Sequence, residues 1–272
     1  MVTEYADPDL QTVAPLPPDP RPAPGFRRAT RRPDRGPLAA LVAALVVVSL
    51  VVGFGIATIV VNARDSSPKR AVNLVPDDSV LGELILRQSD VPAGDNVTLL
   101  RQGASLTVAT LDLCNGRFAS ETQRIARRQV ALTGGPGLLM STEAILYRGP
   151  STGAQALGEL QSVAAHCPST PVKSPVGDDT VTTKFRSAPD GSWSRTPSVQ
   201  RLAYDFVTTD AATGEAVHSV AVYLRRGRVL MGIYFARPDG PQDAVAGRTT
   251  LAGVVAVFEA RLAKVPAGVA GD

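Results

Sequence analysis

The fold is decided by the stretch STEAILYRGPSTGAQALGELQSVAAHCP, which runs from Ser141 to Pro168. Its first seven residues, Ser141–Tyr147, predict a strand, and the residues after the Gly-Pro pair predict a helix that Pro168 ends. Thr152 and Gln155 have the spacing of a capping box at the start of this helix. The helix has an apolar face whose members recur at steps of three and four residues: Leu157, Leu160, Ala164 and Cys167. A strand followed by such a helix predicts a sheet with a helix packed on it.

Strands dominate the sequence downstream. In SVQRLAYDFV (198–207) apolar and polar residues alternate, which is typical of a half-buried strand. AVHSVAVYL (216–224) and RVLMGIYFA (228–236) flank the tip RRGR and predict a hairpin, and Thr249–Leu262 predicts an amphipathic helix. Successive hairpins without regular strand–helix alternation predict an α+β fold, with an antiparallel β-sheet flanked by helices.

The pattern upstream of Ser141 is weaker. We expect a short helix at Ser79–Gln88, strands at Val97–Gln102 and Leu106–Cys114, and a turn at Thr133–Gly137. The intervening segment 117–132 fits either a helix or a strand, and periodicity alone does not decide between them.

An uncharged run of 24 residues, Leu38–Val61, predicts a single transmembrane helix ahead of this fold. As a helix it would be about 36 Å long, enough to cross a hydrocarbon core of about 30 Å. The arginines on its N-terminal side outnumber the cations beyond it, so the positive-inside rule places the N-terminus in the cytoplasm and the C-terminal part outside. Cleavage of this segment after Ala63 remains the alternative.

The anchor divides the chain into regions of different composition. Residues 1–37 contain nine prolines and six arginines, which predicts a disordered cytoplasmic tail. Residues 62–78 are expected to form a stalk, residues 79–266 an extracytoplasmic domain, and residues 267–272 a short C-terminal tail. We therefore expect a single-pass protein of the cell membrane, with the lipid bilayer as one partner.

The two cysteines of the chain, Cys114 and Cys167, lie in the part expected to be exported. Two cysteines in an oxidising compartment predict one disulfide. Cys167 lies on the apolar face of the predicted helix, which is expected to face the core. The neighbouring His166 lies on the polar face of the same helix. A catalytic or metal-binding role for the His166–Cys167 pair would require a reduced thiol or further ligands, so the disulfide is the favoured interpretation.

The order of these elements resembles a known family. The shared segments are DVPAG (90–94), LDLCNG (111–116), the opening stretch, and VAVYLRRGRVLMGIYF (220–235), followed by the last helix. Together they resemble the PknH-like extracellular sensor domains of actinobacteria, first described in a receptor Ser/Thr kinase. The resemblance covers about residues 79–266 and implies an antiparallel sheet with helices and a ligand cleft. This sequence departs from the kinase receptor in two ways. The receptor domain has two disulfides, whereas two cysteines allow only one here, and this sequence contains no kinase motif.

One motif suggests an enzyme. Gly149–Gly153 matches the G-x-S-x-G pattern of a nucleophile elbow, with Ser151 as the nucleophile. Asp205 or Asp210 and then His218 would complete the chain order of an α/β-hydrolase triad. Because the predicted strands form hairpins and not strand–helix repeats, an exported serine esterase is only a distant alternative.

A non-enzymatic binding module is therefore the expected function, with a small molecule or a cell-envelope component as ligand and a protein–protein interaction module as the alternative. The candidate ligand contacts are Trp193 in a polar loop and the strand residues Tyr204 and Tyr234. Arg225, Arg226 and Arg228 at the hairpin tip could contact anionic groups. The net charge is only +3 and aromatic residues are 5% of the chain, which excludes a typical nucleic-acid-binding surface. The sequence indicates no cofactor or metal and leaves the oligomeric state open.

Overall fold

Eight antiparallel strands form one sheet within the part of the chain that the computed structural model describes, residues 76–134, 137–174, 179–240 and 244–272. The strand order is β1-β2-β3-β8-β7-β6-β5-β4. The strands are β1 Asn96–Leu99, β2 Arg124–Gly134, β3 Gly137–Tyr147, β4 Val172–Lys173, β5 Thr180–Phe185, β6 Gln200–Asp210, β7 Ala216–Arg226 and β8 Val229–Ala236. The helices are α1 Pro76–Leu84, α2 Pro150–Ala165, α3 Leu251–Ala263 and α4 Ala267–Ala270, with short 3-10 helices at Gln88–Asp90 and Ala119–Gln123.

Both faces of the sheet are covered by helices. One face packs against α1 and α3, and the other packs against α2. Alternate residues of each strand enter the two cores because side chains alternate across a sheet. In β7, for example, Val220, Val222 and Leu224 face α1 and α3, whereas Ala221 and Tyr223 face α2. All eight residues of β8 are buried, since this strand lies near the middle of the sheet with both of its faces covered.

The α+β fold predicted from the sequence is confirmed. The strand and helix of the opening stretch form β3 and α2, and the hairpin forms β7 and β8, joined by a tight turn. The ambiguous segment 117–132 is a 3-10 turn followed by strand β2. The predicted membrane segment, residues 38–61, and the cytoplasmic tail lie outside the described residues. Among the described residues, no helix is both long and apolar enough to span a membrane.

The strand expected at Leu106–Cys114 is absent from the described structure, and this prediction was wrong. The segment instead crosses the α2 face of the sheet, where Leu111 and Leu113 are buried. The backbone amides of Thr110 and Leu111 each donate to the Glu121 carboxylate at 2.8 Å. A side-chain acceptor therefore takes the place of a neighbouring strand, and residues 110–114 are buried without strand pairing.

The start of α2 also differs from the prediction. The N-cap residue is Gly149 and Pro150 occupies the first turn, while no side chain caps the helix. Proline suits this position because its missing N–H would have no partner inside the helix. The capping box expected from Thr152 and Gln155 is therefore not formed.

Both ends of the domain extend beyond the expected bounds. Helix α1 begins at Pro76, inside the segment expected to be a stalk, and residues 267–270 form α4. Ala270 is fully buried, and its carbonyl accepts a hydrogen bond from the Arg228 amide at 2.8 Å. A Cβ on Gly227 would lie 2.0 Å from that carbonyl oxygen, so the close approach requires glycine. The C-terminal residues are thus packed on the tip of the β7–β8 hairpin.

Candidate ligand groove

A groove of about 990 Å3 lies between helices α1 and α3. Its walls are mostly aliphatic, and α3 contributes small side chains from its outward surface. The inward residues of α3, among them Val254, Phe258 and Leu262, are buried in the core. Apolar residues that line the groove are Val80, Leu84, Ala252, Ala256, Val257, Ala260 and Val265. The groove therefore results from an α3 helix that carries alanines where a surface helix usually carries long polar side chains.

The rim of the groove is cationic. Four cations and one carboxylate line it: Arg87, Arg248, Arg261, Lys264 and Glu83. Arg87 is paired with Glu83 at 2.7 Å. Arg248 and Lys264 are exposed and form no ion pair with any described residue. Among the described residues, no neighbouring carboxylate compensates the charge of these two cations.

Asp90 fixes the remaining rim arginines. Its buried carboxylate accepts hydrogen bonds from the Arg261 guanidinium at 2.5 Å and from the Arg87 amide at 2.8 Å. Burial alone would raise the pKa of Asp90, but the hydrogen bonds from Arg261 and Arg87 outweigh it and hold that pKa below its ordinary value. Arg261 also donates to the carbonyl of Ile85 at 3.0 Å, which ties α3 to the end of α1. This role cannot be read from the sequence, because Asp90 and Arg261 lie 171 residues apart.

Trp193 lies next to Ser194, which lines the groove. The indole is half-buried against the core on the α1/α3 face, and the guanidinium carbon of Arg201 lies 5.6 Å from its ring centroid. Arg201 is itself held by Asp190 at 3.0 Å and by Glu259 of α3 at 2.7 Å. Trp193 therefore does not itself line the groove but is the sequence neighbour of a residue that does.

Tyr204 and Tyr234 lie on the opposite face of the sheet and do not line the groove. With Tyr223 they form a row of aromatic rings whose centroids are 6.3 Å and 5.9 Å apart. The Tyr234 hydroxyl lies 3.5 Å from the fully buried Glu143 carboxylate. Burial raises the pKa of both Tyr204 and Tyr234. The structure therefore separates Trp193 from the two tyrosines and places Tyr234 deep in the α2-side core.

The residues proposed for an esterase are only partly brought together. His218 Nε2 lies 2.8 Å from the Asp205 carboxylate, and Nδ1 contacts Asp239. Ser151, however, lies in the first turn of α2, at the end of the sheet where Arg226 ends β7. His218 lies eight residue steps from Arg226, a distance of about 26 Å, and its side chain faces away from α2. Ser151, Asp205 and His218 therefore do not form a triad.

The cysteines form the disulfide predicted from the sequence. Cys114 and Cys167 are bonded, with their Cα atoms 5.2 Å apart, and both lie against the α2-side core. His166 is exposed at the C-terminal end of α2, where its Nδ1 lies 2.8 Å from the carbonyl of Ser162. Within the described residues, no cluster of three or more His, Cys, Asp or Glu side chains is placed to hold a metal.

Comparison with known proteins shows weak structural similarity to a solved domain. No family model matches the chain, and no curated protein matches it. Among solved structures, the extracellular domain of PknH from Mycobacterium tuberculosis matches with a TM-score of 0.39 and 10% sequence identity. The match covers 68% of this chain and 96% of the PknH chain. Similarity at this level does not establish a common fold or a shared function.

Proposed function

We propose that this protein is a non-enzymatic binding module on the outer side of the membrane, and that its groove binds an amphiphilic component of the cell envelope. The acyl part of the ligand would lie between α1 and α3, and its anionic headgroup would contact Arg248 and Lys264. The observation that carries the proposal is the combination of a large aliphatic groove with uncompensated cations on its rim.

The shape and chemistry of the groove favour an acyl chain. Its volume is at the upper end of the range for small-molecule sites, about 300–1,000 Å3. The small side chains of Ala252, Ala256 and Ala260 line the groove, and no aromatic residue is among its described lining. Each buried methylene would contribute about 0.8 kcal/mol. A chain of moderate length would therefore bind appreciably even after the entropic cost of association.

The predicted anchor supports a ligand from the membrane. The membrane segment is expected to end at Val61, and α1 begins at Pro76. The residues between them can span at most about 50 Å when fully extended. This tether would keep α1, one wall of the groove, within reach of the outer leaflet and its anionic headgroups.

The test is a binding titration that uses Trp193, the only tryptophan of the chain. The exported part, residues 63–272, would be checked for folding by circular dichroism and titrated with dodecyl phosphate below its micelle concentration. We expect a saturable change in Trp193 fluorescence. The affinity obtained from it should be at least fivefold lower in the Arg248→Ser/Lys264→Ser variant. Dodecyltrimethylammonium, which has the same chain and the opposite charge, serves as the ligand control.

A variant that fills the groove complements the charge variant. Ala256 is exposed on α3, so Ala256→Phe would fill the groove without disturbing the core, and Ala256→Ser is the matched control. Loss of binding in Ala256→Phe alone supports the assignment. Equal binding of both amphiphiles in all variants would overturn it and leave a protein helix as the alternative occupant, since small residues on α3 would also allow close helix packing.

A further inference from the structure

A second cavity lies on the α2 face of the sheet, opposite the groove. It has a volume of about 530 Å3 and is bounded by α2 and by the segment 195–202. Leu157 of α2 and Leu202 of β6 form its floor, and Gly158 leaves it open because a Cβ there would have no neighbour within 4 Å. We call this cavity the α2 cleft.

The polar lining of the α2 cleft is basic and amide-rich. Its polar side chains include Gln161, Arg195, Gln200 and Arg225. Among the described residues that line the cleft, none is acidic. The cleft therefore differs in kind from the aliphatic groove on the other face, and it would repel a cationic ligand.

Arg225 is the unusual member of this lining. Its Nη2 donates to the carbonyl of Pro150 at 2.9 Å, and its Nη1 donates to the Gln200 side chain. Both acceptors are neutral, and the buried Nε has no hydrogen-bond partner. Burial lowers the pKa of Arg225, although the charge of Asp272 partly opposes this effect. Arg225 is thus a partly desolvated cation that no carboxylate contacts within the described structure.

The other arginines of the hairpin tip have structural partners. Arg226 pairs with Asp272 at 3.0 Å and donates to the carbonyl of Ala263 at the end of α3. Arg228 donates to the carbonyl of Val269 at 2.6 Å. These two side chains hold the C-terminal residues, so only Arg225 of the three remains for a ligand in the α2 cleft.

Arg195 supplies a second available cation. It is 68% exposed and lies 3.6 Å from Asp190, whose carboxylate already accepts a hydrogen bond from the buried Arg201 at 3.0 Å. Arg201 is further neutralised by Glu259 at 2.7 Å. The charges of Arg195, Arg201, Asp190 and Glu259 sum to zero, so Arg195 offers a ligand an exposed guanidinium but no surplus charge.

We propose that the α2 cleft binds an acidic sugar, with its carboxylate on Arg225 and Arg195 and its hydroxyl groups on Gln161 and Gln200. Guanidinium groups suit carboxylates because they offer several N–H donors in one plane. Amide side chains both donate to and accept from hydroxyl groups, and the floor of Leu157 and Leu202 suits the C–H face of a sugar ring. An acyl chain would not suit this polar lining.

The proposal is tested with the full chain in phosphatidylcholine nanodiscs by isothermal titration calorimetry. Glucuronate is the probe, glucose is the uncharged control, and inorganic phosphate reports a site for any anion. We expect saturable binding of glucuronate that is at least tenfold tighter than that of glucose or phosphate. Arg225→Gln should weaken it at least tenfold, whereas Arg186→Gln, at an exposed arginine outside the cleft, should leave it unchanged.

A pair of variants at Gly158 separates binding from folding. Gly158→Leu fills the cleft and leaves Arg225 in place, and Gly158→Ala leaves most of the cleft open. Binding that survives in Gly158→Ala and is lost in Gly158→Leu, with both variants folded and melting no lower than the parent protein, supports the proposal. Phosphate that binds as tightly as glucuronate would reduce the cleft to a general anion site and overturn the sugar assignment. Glucuronate binding that is absent, or unchanged in Arg225→Gln, would also overturn it.

Discussion

At the scale of single residues, Asp112 shows how burial makes stability depend on pH. Burial raises its pKa to about 6, although a hydrogen bond from Ser174 at 2.6 Å opposes the shift. The carboxyl of an unfolded chain titrates near 3.9, so the folded state binds the proton more tightly. The contribution of Asp112 to the free energy of unfolding should therefore be greatest below about pH 4 and should decline as the pH rises to about 6, by about 3 kcal/mol at most.

Asp112→Asn tests this effect because it removes the charge and keeps an oxygen that accepts from Ser174. We expect the variant to melt at a higher temperature than the parent protein at pH 7.5 and at about the same temperature at pH 4. The measurement is thermal unfolding across this pH range. A variant that is less stable at pH 7.5 would show that the charged carboxylate contributes favourably to the fold.

The pair of Arg127 and Glu143 is the second residue-scale prediction. Both side chains are buried and hydrogen-bonded to each other, and burial raises the pKa of Glu143 despite the opposing charge of Arg127. Arg127→Met leaves an uncompensated buried carboxylate and should lower the free energy of unfolding by about 3–5 kcal/mol. The double variant Arg127→Met/Glu143→Leu should lose less free energy of unfolding than Arg127→Met alone, as measured by urea unfolding. A double variant that loses the sum of both single effects would refute the coupling.

At the scale of elements, two glycines of α2 predict opposite effects of the same substitution. A Cβ on Gly158 meets nothing within 4 Å, so Gly158→Ala should stabilise the domain by about 0.5–1 kcal/mol through helix propensity. A Cβ on Gly153 would lie 2.6 Å from the carbonyl oxygen of Gly227, so Gly153→Ala should destabilise it by forcing α2 away from the hairpin. Urea unfolding of the two variants measures both signs, and destabilisation by Gly158→Ala would contradict the open surface found there.

At the scale of the whole molecule, the disulfide joins the loop before β2 to the end of α2. It links residues 53 positions apart, and chain entropy gives such a cross-link about 4 kcal/mol. We expect no free thiol in the native domain and a clear fall in melting temperature after reduction. Two titratable thiols in the native protein would contradict both the disulfide and the predicted export.

The sequence predicts the fold better than the groove, for physical reasons. Periodicity identifies β3, α2 and the β7–β8 hairpin because burial on one face imposes that pattern on the residues. The groove depends on outward-facing residues such as Ala256, whose small side chains carry no distinctive pattern. It also depends on Asp90 and Arg261, which only the tertiary structure brings together. The segment 106–114 has the composition of a strand, but its residues 110–114 are buried without strand pairing, which sequence alone does not reveal.

The most direct test of the groove measures its affinity for alkyl phosphates of increasing chain length, with Trp193 fluorescence as the readout. If the alkyl chain of the ligand lies between α1 and α3, each added methylene should tighten binding by about fourfold until the groove is full. A buried methylene contributes about 0.8 kcal/mol. The same series should show no such dependence in Ala256→Phe. Affinity that is independent of chain length in the parent protein, or equally dependent on it in Ala256→Phe, would contradict the binding of an envelope amphiphile in this groove.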